Sequence, residues 1–135
     1  KLMSVDVERI LCEAIGKLPS DECEAFIGQL GGQTNRVAVG DTAYPHRDAE
    51  FVVNVHTRWR DAADDRKCID WARGLFDALA PHATGGVYVN FMPEDEMQRV
   101  AVGAYGPNYA RLAALKSKYD PNNLFSQNQN IRPQA

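Results

Sequence analysis

Cysteine, histidine and basic charge are all scarce in this chain, and each scarcity removes a class of function. Cys12, Cys23 and Cys68 are odd in number, far apart and never spaced as a CxxC pair. A disulfide framework or a zinc ribbon needs closely spaced, paired thiols, so these three read as buried thiols in a reducing, cytoplasmic compartment. His46, His56 and His82 lack the spacing of a helical metal site, and no metal is expected. Fifteen Lys and Arg face eighteen Asp and Glu, giving a formal net charge of −3. The basic residues are scattered rather than gathered into the cationic stripe that nucleic acid requires. No apolar run approaches the roughly 20 residues of a membrane-spanning helix, and no charged segment leads into an export signal.

What is present fits an ordinary globular chain. With 135 residues, 44% hydrophobic and 24% charged, one core-forming domain is expected and disorder is not. Val7, Ile10, Leu11, Ala14, Ile15 and Leu18 recur with helical period, predicting a helix that stops at Pro19. Cys23 to Leu30 reads as a short strand running into Gly31-Gly32, and Arg36 to Val39 as another. Phe51 to Trp59 is the clearest strand, central in its sheet, with Phe51, Val53, Val55, Thr57 and Trp59 on a core face and Val52, Asn54, His56 and Arg58 on a polar one.

Asp61 caps a predicted helix from Ala62 to Ala80, with Cys68, Trp71, Ala72, Leu75, Phe76 and Leu79 as its buried stripe. Gly85-Gly86 opens a strand over Val87–Phe91, closed by a solvated acidic loop at Glu94, Asp95 and Glu96. A last helix runs from Pro107 to Tyr119, with Tyr109, Leu112, Leu115 and Tyr119 on one side. The Asn- and Gln-rich tail beyond must be held by other parts of the protein or stay mobile. This order of elements predicts an α+β fold, an antiparallel sheet covered by helices on one face with an extended C-terminal tail.

The stretch Tyr105-Gly106-Pro107-Asn108-Tyr109-Ala110-Arg111-Leu112, followed by Lys116, Tyr119-Asp120-Pro121 and Asn123-Leu124-Phe125, closely resembles the C-terminal signature of berberine-bridge-enzyme-like FAD-linked oxidases. Gly31-Gly32, Pro45-His46-Arg47 and Tyr88-Val89-Asn90-Phe91 look like landmarks of the same region. The resemblance implies that residues 3–103 are part of a substrate domain and 104–135 a berberine-bridge-type C-terminal segment. It implies FAD as cofactor, a small organic molecule oxidised by hydride transfer, and a flavin-holding N-terminal domain as the missing partner.

It also implies roles by position: Asn108 and Asn90 beside the flavin, Tyr88 as a catalytic phenol, and Gln29, Asn54 and His56 toward the substrate. Phe91 stands where family members often carry a second tyrosine, which removes one hydroxyl. Gln29 is the only polar side chain where some members place a carboxylate base, and an amide cannot take a proton at neutral pH. Asn108 also has a plain structural reading, as the N-cap of the last helix. Tyr109, Leu112, Tyr119, Leu124 and Phe125 read as packing residues. The competing reading of the whole is a stand-alone, non-enzymatic module that self-associates through its exposed sheet face.

Overall fold

Ser4 starts the first helix by accepting the Val7 N–H on its hydroxyl at 3.3 Å, and α1 runs Val5–Ile15. The computed structural model describes residues 3–92 and 103–134. The acidic loop expected at Glu94–Glu96 lies outside the described residues. Packing divides the chain into two units, one formed by Lys1–Leu30 and Glu50–Thr84, the other by Gly31–Ala49 and Gly85–Ala135.

In the first unit α1 turns inward Val7, Ile10, Leu11 and Ala14, with Leu11 buried. The helix ends three residues sooner than expected, at Gly16, whose N–H bonds the Cys12 carbonyl at 3.0 Å, because glycine is a poor helix former and closes the last turn. Strand β1 spans Glu24–Gln29 and pairs antiparallel with β2, Phe51–His56, in the register Glu24 opposite His56 and Gln29 opposite Phe51. Among the described residues this sheet has two strands, so β2 is not central. Asn54 is the buried residue of β2, while Phe51, Val53 and Val55 are half-buried, which reverses the expected contrast between its faces.

Asp61 accepts the Ala63 N–H at 2.9 Å and opens a 3-10 turn, Ala62–Asp64, that continues into helix α3, Asp65–Leu79. Cys68 and Leu75 are buried in its stripe, but Phe76 is 45% exposed, against expectation. Trp71 spans the helix pair by donating its indole N–H to the Ala14 carbonyl of α1 at 3.1 Å. Cys23 and Cys68 are buried thiols as the composition suggested, whereas Cys12 is exposed on α1. Burial raises the Cys68 thiol above its ordinary pKa.

The second unit has few regular elements. One helical turn, α2 at Gln33–Arg36, is entered through Gly32 at φ +58, and the strand expected over Arg36 to Val39 is not formed: the helical turn ends at Arg36 and a bend and turn follow. The expected strand over Val87–Phe91 is instead a 3-10 turn, Val89–Phe91, whose backbone closes on itself through Phe91 N–H to Tyr88 and Met92 N–H to Val89, while the Val87 N–H bonds the Gly103 carbonyl at 3.0 Å. A small core joins Met92 and Ala104 to Val87, Val89 and Tyr105.

A 3-10 turn, Gly106–Asn108, leads into helix α4, Tyr109–Tyr119, which buries Ala113 and half-buries Tyr109 and Leu112. Tyr119, Leu124 and Phe125 are 74%, 78% and 83% exposed and do not pack as expected. The tail is nevertheless tied down within its unit: Gln129 Nε2 donates to the Met92 carbonyl at 2.9 Å and the Gln134 N–H to Ser117 Oγ at 2.7 Å.

Candidate functional site

The polar side chains singled out from the sequence fall into three groups. In the first unit Asn54 and His56, two apart on β2, share a face with Glu24, the cross-strand partner of His56. Asn54 donates its amide N–H to His56 Nε2, and His56 Nδ1 lies 3.1 Å from Glu24 Oε1. Because Nε2 accepts, the ring proton sits on Nδ1 and points at the carboxylate. Both ring nitrogens are thus engaged, and His56 is an oriented ring rather than an open base. Gln29 is opposite Phe51 and exposed, and the pleat puts it on the other face from Asn54 and His56. The register therefore does not bring these three onto one surface.

In the second unit Tyr88 and Asn90 meet directly, Asn90 Nδ2 donating to the Tyr88 hydroxyl at 2.8 Å. They meet although the strand whose pleat was expected to put them on one face is not formed. That bond occupies an acceptor position of the phenol and leaves its O–H proton free to be given elsewhere. Around them is a cluster the sequence reading did not assign to a site. Tyr44 packs edge-on to Tyr88 at 6.2 Å and to His46 at 5.4 Å, and Tyr88 edge-on to Phe91 at 4.9 Å. The Arg47 guanidinium lies over the Tyr44 ring, 4.9 Å from its centre. Burial raises the Tyr44 phenol above its ordinary pKa, outweighing the lowering by Arg47, so Tyr44 stays a neutral hydroxyl. The Pro45-His46-Arg47 landmark was the available signal for this cluster.

Asn108 is buried, but it is not an N-cap: its side chain makes no capping bond. Its Nδ2 instead donates to the carbonyls of Val39, at 2.7 Å, and Thr42, at 3.1 Å. Arg111, one turn on, donates to the Gly40 carbonyl at 2.9 Å. Together they clamp the Val39–Thr42 loop. The cleft that Asp41–Ala43 form with Asn108, Arg111, Leu112 and Leu115 holds about 120 Å³, room for a few waters and far below the several hundred Å³ of an organic-ligand pocket.

The rest of the signature is also structural. Asp120 accepts the N–H groups of Leu124 at 2.8 Å and Phe125 at 3.1 Å and pairs with Lys116, whose Nζ also donates to the Phe125 carbonyl at 2.7 Å. The Lys116 ammonium, with those two N–H groups, holds the Asp120 carboxyl below the ordinary carboxylate value despite its burial.

The fold is shared with parts of larger solved proteins. The chain superimposes with a TM-score of 0.80 on a glycopeptide hexose oxidase solved with teicoplanin, at 24% identity over 98% of this chain and 30% of that one. Residues 87–132 match the family described as berberine and berberine like. An uncharacterized FAD-linked oxidoreductase, YgaK of Bacillus subtilis, is 35% identical over 85% of this chain and 25% of its own length. A carbohydrate oxidase of Microdochium nivale is 32% identical over 78% of this chain and 22% of its own length. The chain belongs to the berberine-bridge-enzyme-like family of FAD-linked oxidoreductases, and it spans about a quarter of the length of these curated relatives.

Proposed function

We propose that the chain is the C-terminal, substrate-side portion of an FAD-linked oxidoreductase acting on a small organic substrate. Residues 3–103 then belong to the substrate domain and 104–135 to the closing segment, and the flavin is held mainly by a domain that the relatives' greater length accommodates. Bound FAD would supply the hydride acceptor. The observation that carries the reading is the Tyr88–Asn90 pair, a phenol that can still donate its proton and an amide hydrogen-bonded to its oxygen.

Tyr88 is the substrate-facing phenol in this proposal, with Asn90 holding its oxygen and Tyr44 as a second neutral hydroxyl nearby. Asn108 has its amide donors committed to loop carbonyls, so toward a flavin it offers only an acceptor. Asn54 and His56 supply a second polar face toward substrate, and Gln29 would reach a ligand only from the opposite face of the sheet. These neutral groups fit orienting a flavin ring rather than holding its pyrophosphate. The Gly31-Gly32 turn that follows β1 leads only into the four-residue α2, too short to offer a dipole to a phosphate.

The aromatic rings of Tyr44 and Tyr88 beside hydrogen-bonding amides suit a hydroxyl-rich substrate such as a sugar, and a carbohydrate oxidase is among the relatives. Three free cysteines support a reducing, cytoplasmic setting. Among the described residues no helix is long and apolar enough to cross a membrane.

The test is absorbance. The 135-residue chain should purify colourless and stay so with added FAD, while the chain joined to its flavin domain should be yellow and be reduced by substrate. Stoichiometric flavin absorbance in the short chain overturns the division of labour. The alternative, a self-associating module, rests on Phe26 and Ile27, 49% and 45% exposed on β1. Size-exclusion chromatography separates it, since a monomer at all concentrations removes it.

A further inference from the structure

Gly86 ties the candidate phenol and amide to the rest of their unit. A Cβ there would lie 2.4 Å from both Cε1 and Nδ1 of the His46 ring, an approach that only glycine permits. The ring is itself held. Its Nε2 is 3.2 Å from the Val87 carbonyl, and Tyr44 packs edge-on against it at 5.4 Å. A carbonyl can only accept, so Nε2 is the donor in this bond.

The segment that His46 grips is held by turns and contacts rather than, among the described residues, by a strand ladder: Phe91 N–H bonds the Tyr88 carbonyl at 2.9 Å and Met92 N–H that of Val89 at 3.3 Å, and Val87 N–H bonds the Gly103 carbonyl at 3.0 Å. Gly85, at φ +81, lets the chain enter the contact through a left-handed turn. Tyr88 and Asn90 follow within four residues of Gly86, and Tyr44 touches both the His46 and the Tyr88 rings.

We infer that His46, seated against Gly86 and backed by Tyr44, is the positioning group for the Tyr88–Asn90 pair. This rests on the reading that the pair faces the substrate. His46 acts one step removed, by fixing the Val87 carbonyl and so the turn that sets the distance between phenol and amide.

The test is NMR on the 135-residue chain with labelled Asn side-chain amides and Tyr rings. Tyr88→Phe first identifies the shift that the phenol imposes on the Asn90 amide. Gly86→Ala, which drives a methyl into the His46 ring, should abolish that shift and move the Tyr88 ring signal while leaving α3 signals in place. His46→Phe keeps a ring without a donor and should abolish it too. His46→Gln, whose amide can still donate to Val87, should restore part of it.

An Asn90 amide unchanged in Gly86→Ala or in His46→Phe overturns the inference, as does a loss in His46→Gln as complete as in His46→Phe. Should Gly86→Ala fail to fold, the two His46 variants decide the matter alone. No flavin enters this measurement, so a failure here and a failure of the flavoprotein reading are separate results.

Discussion

The two units of this chain are held together by different physics. In the first, the periodic apolar stripes of α1 and α3 bury Leu11, Cys68 and Leu75, and the unit also contains a paired antiparallel sheet. In the second, a small core around Met92 and Ala104 is joined by side chains that grip loop carbonyls: Asn108 on Val39 and Thr42, Arg111 on Gly40, Arg47 on Thr34, Asn35 on Ala49. Apolar packing is non-directional and tolerates exchange of similar side chains, whereas these bonds each demand one donor at one place. That contrast accounts for why the recognisable signature, Asn108, Arg111, Lys116 and Asp120, sits wholly in the second unit.

The sharpest way to break the comparison is to cut into the apolar core. Leu75→Ala should cost about 2–5 kcal/mol, read as a lower urea midpoint by Trp71 fluorescence. Hydrogen exchange of α4 should change far less than that of α3. Equal loss in both would mean that one core holds the whole chain.

Asn108→Asp comes next, at about 1–3 kcal/mol, because a carboxylate has no donor for the Val39 and Thr42 carbonyls and faces them with like partial charge. As an N-cap, Asn108 would have tolerated Asp with a near-normal melting temperature. The observed bonds reverse that outcome, and an unchanged Tm would show that the loop clamp is not made in solution.

The smallest effect is an acid one. The Asp120 carboxyl titrates below its ordinary value of 3.8 when folded, so its contribution is complete above that value and is lost as pH falls through the lower folded value. Exchange of the Leu124 and Phe125 amides should therefore accelerate, relative to α1, only below the ordinary carboxylate range, and Asp120→Asn should bring that looseness to neutral pH.

Much of the first unit could be read along the chain because its signals are local. The 3.6-residue recurrence from Val7 to Ala14 and the Asp61 cap ahead of α3 need no knowledge of distant residues. Val87–Phe91 shows the limit. Its alternation of apolar and polar residues describes a strand, but among the described residues no partner strand pairs with it, and Gly103 and His46 take the bonds of Val87. Asn90 and Tyr88 were still legible as a pair, since close spacing serves a tight turn as well as a pleat. Gln29 was not, because which face it occupies depends on the register with β2. Nor was the real work of Asn108, whose acceptors lie 66 and 69 residues away in sequence.

The Leu30 N–H and the Glu50 carbonyl meet at 2.8 Å at the neck where the 31–49 excursion leaves the first unit and returns. On the ribosome this neck sets an order of events. The first unit has all its elements once the 3-10 turn Ala80–His82 has emerged, while the excursion waits for Asn108 and Arg111, the latter 71 residues behind Gly40. A nascent chain stalled after Thr84 would then carry a finished helix–sheet unit with one untethered loop, and the second unit would mature only as the last helix is released.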